Sequence, residues 1–461
     1  MIAVYGGDMS GASRYRELGE AGWAWVLGQV RHDDGPWLPE VVGDDPPRPA
    51  EDRDSLYSGI AGLAPVLAEL GRHRELNGAE TALAAGIIDR LDRMSLAERV
   101  DASLYDGLAG DVTALRLLAP GRERVVMERL AELRTPAGWE PAPSIQPESQ
   151  GPATDIIFGS AGVVLAAAWA EGEAAAAVMT TGGDALLRVA EPTEAGLDWR
   201  MWPGYRSSSP NFSRGTAGVA AALAMAGHAL DRADFVAAAR QGAEHLLRIA
   251  SLDDGGFVVE HTIPRSQRVV EPVTYNWCHG PAGTSQLFAA LARAGVERVG
   301  DFEVGELRRR CLHSVLTSGV PHRLRPGFWD NDGRCCGTAG VGDILLDAAQ
   351  DTTDEPYAAL LLRGVETMAD ALVERAIRDD AGARWRFVEH RQDPPLLPPR
   401  TGWMKGAAGI AAFLLRFARV LEDGPTAAVV DRPDQWWTVP EQLCVTRAGG
   451  AGTGRAQVDH R

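Results

Sequence analysis

Read for alternation of apolar and polar positions, the chain resolves into helical stretches of two kinds. Segments such as Gly218-VAAALAMAGHAL and Gly409-IAAFLLRFARVL are apolar nearly all round, the mark of a buried helix. Segments such as Asp234-FVAAARQGAEHLLRIA carry one apolar and one polar face, which predicts an amphipathic helix on the outside. The two kinds alternate, and each apolar stretch opens on a Gly-x-Ala-Gly loop. The loops are Tyr57-SGIAG, Tyr105-DGLAG, Ile157-FGSAG, Ser213-RGTAG, Cys278-HGPAG, Cys335-CGTAG and Met404-KGAAG. Their spacing, about 48 to about 69 residues, is that of a repeat array.

One buried and one amphipathic helix per repeat predicts an all-α ring of seven inner helices wrapped by about seven outer ones. Small residues at the start of each inner helix permit close approach near the axis, and glycine there is expected to let the loop adopt positive φ. The seven loops then share one rim, where helix N-termini favour anions. Residues 1–445 read as a single domain. The remaining segment, 446–461, has the composition of a disordered tail, and Arg134 to Pro152 reads as a proline-rich loop on the ring.

Composition narrows the function. A net charge of −17 without a Lys/Arg cluster argues against a nucleic-acid partner. There is no apolar run of about 18 residues and no signal-like N-terminus, so neither a membrane span nor export is expected. Five cysteines in 461 residues do not make a disulfide framework and fit reduced thiols in the cytoplasm.

Three of those cysteines, Cys278, Cys335 and Cys336, fall in two of the seven loops. A repeat accounts for the glycines but not for sulfur at two positions. Three thiolates are a ligand set for Zn²⁺ that leaves a fourth position open for water or substrate. Cys311 and Cys444, outside the loops, read as core cysteines. Asp330, Asp332 and Asp343 flank the second sulfur loop and read as solvated or capping carboxylates. His261 and His322 lack a partner at ligand spacing. Trp202, Trp329 and Trp403 precede inner-helix loops, either lining a groove or packing against the rim.

The loops Trp277-Cys278-His279-Gly280 and Cys335-Cys336-Gly337 resemble the W-C-x-G and C-H-G or C-C-G pair of the LanC-type lanthionine cyclases, and the resemblance covers nearly the whole chain. The double cysteine is similar to a branch with a three-cysteine zinc site. The resemblance implies an α/α toroid and thioether formation in a dehydrated precursor peptide. A peptide cysteine thiol, deprotonated at zinc, adds to the β-carbon of dehydroalanine or dehydrobutyrine, and the enolate takes a proton at the α-carbon. Asp155 matches the family's aspartate beside the third loop. Arg214 stands where the family usually has histidine, and Thr274 where the peptide cyclases commonly have arginine. Arginine is neither base nor ready acid but stabilises an enolate electrostatically. His279, beside a zinc ligand, is the nearest acid/base by sequence.

Repeats occupy the chain from about residue 15 to 425, so no fused dehydratase or kinase-like domain is expected, and dehydration implies separate dehydratase or kinase/lyase partners. Two alternatives stand beside the cyclase. One is a LanC-like enzyme adding glutathione or another thiol to dehydroamino acids in proteins. The other is a zinc-stabilised scaffold that binds a peptide without catalysis. A carbohydrate-processing toroid is weaker, because such sites use paired carboxylates and need no cysteines.

Overall fold

A computed structural model describes residues 9–43, 48–49, 53–97, 99–140, 151–266, 271–390 and 392–446. Fourteen α-helices account for nearly all of its regular structure, in chain order α1 (Met9–Gln29), α2 (Ala64–His73), α3 (Gly78–Ala97), α4 (Leu108–Leu118), α5 (Glu123–Leu133), α6 (Ser160–Ala170) and α7 (Glu173–Arg188). They continue with α8 (Thr216–Leu230), α9 (Ala233–Ile249), α10 (Pro281–Arg293), α11 (Val304–Thr317), α12 (Thr338–Asp351), α13 (Glu355–Arg375) and α14 (Ala407–Asp423). The strands are two or three residues long and pair only as small hairpins and loop ties.

The even-numbered helices form the inner ring. Each packs on its even-numbered neighbours, and the ring closes through α14 against α2. The odd-numbered helices lie outside them, with α1 closing the outer layer against α14. Burial follows the two sequence patterns. In α8 every residue from Thr216 to Gly227 is buried, whereas α9 buries Phe235, Ala238, Ala239, Gly242, Ala243 and Leu246, one stripe at helical spacing. Together these helices form the α/α toroid.

The glycines earn their place by a different route from the one expected. The first glycine of each loop has φ between −91° and −167°, a region open to any residue. What excludes a side chain is proximity. A Cβ on the first glycine would lie 2.1–2.6 Å from the carbonyl oxygen six residues earlier, and one on the second glycine 1.8–2.7 Å from its own such oxygen. Each loop folds back onto the start of its helix, and only hydrogen fits in the gap.

The loops are also tied to one another. Backbone N–H···O bonds run from Met404 to Tyr57, Tyr57 to Tyr105, Ile156 to Ser213, Ser213 to Cys278, Cys278 to Cys335 and Cys335 to Met404, at 2.9–3.2 Å. They bridge six of the seven junctions around the axis.

Beyond α14 the chain turns into the middle of the inner ring. Trp169 of α6 donates to Asp431 (2.7 Å), Tyr105 to Asp434 (3.0 Å), and Trp437 to the Gln286 carbonyl of α10 (3.0 Å). Gln435 and Thr438 donate to Asp347 of α12, each at 2.9 Å. This segment meets a buried charge network in which Asp343 takes Arg334 (2.5 Å), Arg416 (3.0 Å) and Arg432 (3.4 Å). Asp343 is therefore a buried structural anion rather than a solvated one. Asp332 is likewise buried and paired with Arg375 (2.7 Å) and Arg323 (3.2 Å), and Asp330 with His390 (2.6 Å). Cys311 and Cys444 are fully buried, as expected of core cysteines. The expected C-terminal tail lies outside the described residues except for Thr446, which bonds Asp431. Most of the proline-rich 134–152 stretch, residues 141–150, also lies outside them.

Candidate functional site

The repeat gives each loop two recurring positions ahead of its first glycine. The residue just before the first glycine is partly exposed in all seven loops, while the residue before that is buried in six, Tyr57 being the partly exposed one. In the fifth and sixth loops these slots bring Cys278, Cys335 and Cys336 together, their Sγ atoms all within 4.8 Å of one another. Cys278 Sγ lies 2.8 Å from Cys335 Sγ, and Cys336 Sγ 3.3 Å from it. Cys278 and Cys335 are buried, and Cys336 faces the mouth.

Cys335 is the favoured thiolate. Hydrogen bonds from Cys278, Cys336 and the Tyr57 hydroxyl hold its thiol well below the usual range, against the opposing effect of burial. The bonds to Cys335 and Cys336 push Cys278 up and burial adds to this, while at Cys336 the contact with Cys278 pulls down but Cys335 and burial outweigh it. A divalent cation is what would let all three ionise. Tetrahedral zinc–thiolate bonds of about 2.3 Å hold sulfurs roughly 3.8 Å apart, the scale of this cluster. The donor set fits zinc.

Asp155 sits four residues before the first glycine of its loop, fully buried, and its Oδ1 accepts the Phe158 N–H at 2.7 Å. The same slot does the same work in other repeats. Ser55 accepts from Ser58 and Gly59, Ser103 from Asp106, and Asn276 from His279. Asp155 differs in having a second oxygen, Oδ2, 3.4 Å from Arg214 Nη1. Burial pushes the Asp155 carboxyl up, against the pull of Arg214 and the Phe158 N–H. Burial also works against the Arg214 charge, yet Asp155 first, then Cys278, Tyr57 and Cys335, hold its guanidinium above its ordinary value. The two shifts are not mirror images because Asp155 has lost all contact with water whereas Arg214 has not. Arg214 lies over the Phe158 ring, 4.3 Å from its centroid.

His279 stacks on His261, with ring centroids 3.7 Å apart. Burial first, then His261 and Arg214, hold the His279 imidazole well below its usual pKa and therefore neutral. His261, set aside on sequence spacing, thus belongs to the site's wall. His322 is exposed, Trp329 and Trp403 are buried, and Trp202 packs half-buried and tilted against Tyr205. Thr274 is half-buried, one turn before the fifth loop.

Sequence reasoning missed Tyr57 and Lys405. Both occupy the slots that hold Cys278 and Cys336 in their own loops, so motif register could have found them. Lys405 Nζ lies 5.3 Å from the Tyr57 ring centroid and 5.9 Å from that of Phe387. A concavity of about 960 Å³ lies elsewhere, at the C-terminal ends of α2, α4 and α6, and holds none of these groups. No helix among the described residues is long and apolar enough to cross a membrane.

A family model described as lanthionine synthetase C-like protein matches residues 50–422. Among solved structures, nisin cyclase resembles the chain with a TM-score of 0.50 at 16% identity, covering 80% of this chain and 89% of that one. An unsaturated glucuronyl hydrolase from Bacillus sp. GL1 aligns with a TM-score of 0.45 at 13% identity, over 89% of this chain and 97% of that one. No curated protein matches.

Proposed function

The chain belongs to the lanthionine synthetase C-like family, and from that premise we propose that it is a zinc-dependent lanthipeptide cyclase, closing (methyl)lanthionine rings in a dehydrated precursor peptide. The observation that carries this reading is the meeting of Cys278, Cys335 and Cys336 at the mouth of the toroid. Those three side chains would hold the zinc ion, which when bound supplies Lewis acidity toward a further sulfur donor. The Tyr57 hydroxyl favours the thiolate form of Cys335, as groups next to a metal ligand do.

Arg214, held by Asp155 and backed by Phe158, offers a fixed cation to the carbonyl oxygen that gains charge when a thiol adds to the β-carbon. Asp155 positions Arg214, since both its oxygens are engaged. His279, neutral against His261, provides a wall and a ring nitrogen beside the ligands. All five cysteines are free thiols, which fits a reducing cytoplasm. Dehydration would fall to separate dehydratase or kinase/lyase partners.

Incubation with a dehydrated, cysteine-containing peptide, with and without glutathione, tests the reading. Cyclisation consumes the peptide thiol at constant mass. A glutathione adduct in place of rings would favour the thiol-adding enzyme, and zinc binding with neither thiol consumed would favour the scaffold.

A further inference from the structure

Of the 46 lysine and arginine side chains in this chain, Lys405 is the one lysine. It stands at the mouth, in the slot before the first glycine of the seventh loop. The same slot holds Arg214, His279 and Cys336 in the three preceding loops. The four run consecutively around the rim, so Lys405 flanks the sulfur cluster on the side away from Arg214. Its loop is fastened there, because Met404 accepts from Cys335 (2.9 Å) and donates to Tyr57 (3.0 Å). Lys405 Nζ lies 5.3 Å from the Tyr57 ring centroid. Among the described residues no carboxylate pairs with Lys405, although most arginines here have one.

A cation required only for its charge would fit the chain's general usage as arginine, and Arg214 already supplies one. Lysine differs in being able to give up a proton, which a guanidinium does not do in proteins. Cyclisation needs that donor, and the family's usual histidine is absent from the fourth loop.

We propose that Lys405 is the catalytic proton donor of the addition, an inference that rests on the cyclase reading. The peptide thiolate forms the S–Cβ bond, and the Cα=Cβ electron pair shifts to give an enolate. An Nζ–H proton of Lys405 passes to Cα, and the carbonyl reforms. The Lys405 amine regains from solvent the proton that the thiol released, so the cycle balances with no further reactant.

The test compares wild type, Lys405→Arg and Lys405→Met on a dehydrated cysteine-containing peptide, with bound zinc and thermal midpoint measured on each. Both variants are expected to lose about 10²-fold or more in kcat, with KM, zinc content and midpoint unchanged. Activity of Lys405→Arg within a few-fold of wild type overturns the proposal, because charge alone then suffices. Loss of zinc from Lys405→Arg overturns it in favour of a structural role. Wild-type protein that consumes no peptide thiol defeats the cyclase reading, and the inference with it. Wild-type activity with unimpaired variants defeats the inference alone.

Discussion

Asp155 divides its two oxygens between two tasks, Oδ1 holding the Phe158 N–H of its own loop and Oδ2 holding Arg214 of the next. Asparagine retains the first acceptor and loses the charge, so Asp155→Asn separates them. We expect the thermal midpoint to move little and kcat to fall roughly 10- to 100-fold, as for loss of an orienting partner. A matched collapse of the midpoint would show that the carboxylate serves the fold alone. For the metal, Cys278→Ala or Cys336→Ala is expected to take zinc from about one per chain to near none. Metal analysis of protein purified without chelator decides this, and a wild-type chain without zinc would refute the metal centre. The three sulfurs were legible in the sequence because they break a repeat. Asp155's capping role was not, because Ser55, Ser103 and Asn276 do the same work with different side chains. Tyr57 was marked only by its register in the first loop, far in sequence from the cysteines, and His261 by no motif at all, since it lies in the irregular stretch before the fifth loop.

The loop–helix junction makes a sharper demand than helix propensity. A methyl on Gly340 would lie 1.8 Å from the Arg334 carbonyl oxygen, and Gly340→Ala is expected to cost upwards of about 3 kcal/mol. At Gly71 in α2 nothing lies within 4 Å, so Gly71→Ala should gain about 1 kcal/mol in denaturant unfolding. Equal effects at the two sites would defeat the close-approach account. The sequence pattern identified the right glycines for the wrong reason, since periodicity marks where glycine is needed without distinguishing φ from crowding. A second junction responds to pH. Glu80 and Asn77 cap α3 reciprocally, while Glu80 also accepts from Trp23 of α1 and from Arg74. Those bonds, Arg74's foremost, lower its carboxyl to about 2 from 4.5. A lowered folded-state value means this stability is fully present above about pH 4.5 and lost as pH falls toward 2, on the order of 3 kcal/mol. The stability gap between wild type and Glu80→Gln should therefore narrow over that window, and a gap independent of pH would refute the linkage.

At the scale of the molecule, the seven-fold ring was readable from the motif period, and family membership covers residues 50–422 of it. What lies inside the ring was not. Trp436 and Trp437 follow no repeat and sit beyond the last apolar helix, so nothing local marks them as the contents of the lumen. Yet Asp431, Asp434 and Gln435 complete bonds offered by α6, the second loop and α12. Arg334, Arg416 and Arg432 are nearly or fully buried there around Asp343 and Asp347. This arrangement bears on synthesis. A ribosome emits residues 429–446 after every repeat, so the inner helices must wait, with charged groups facing an unfilled centre, until the last piece arrives. Chains arrested before Val429 are expected to remain protease-sensitive and to gain resistance abruptly once that segment is released. Resistance that instead rises repeat by repeat would mean the ring stands without its centre. An abrupt gain would instead mean that closure of the ring is gated by emergence of the segment that fills it.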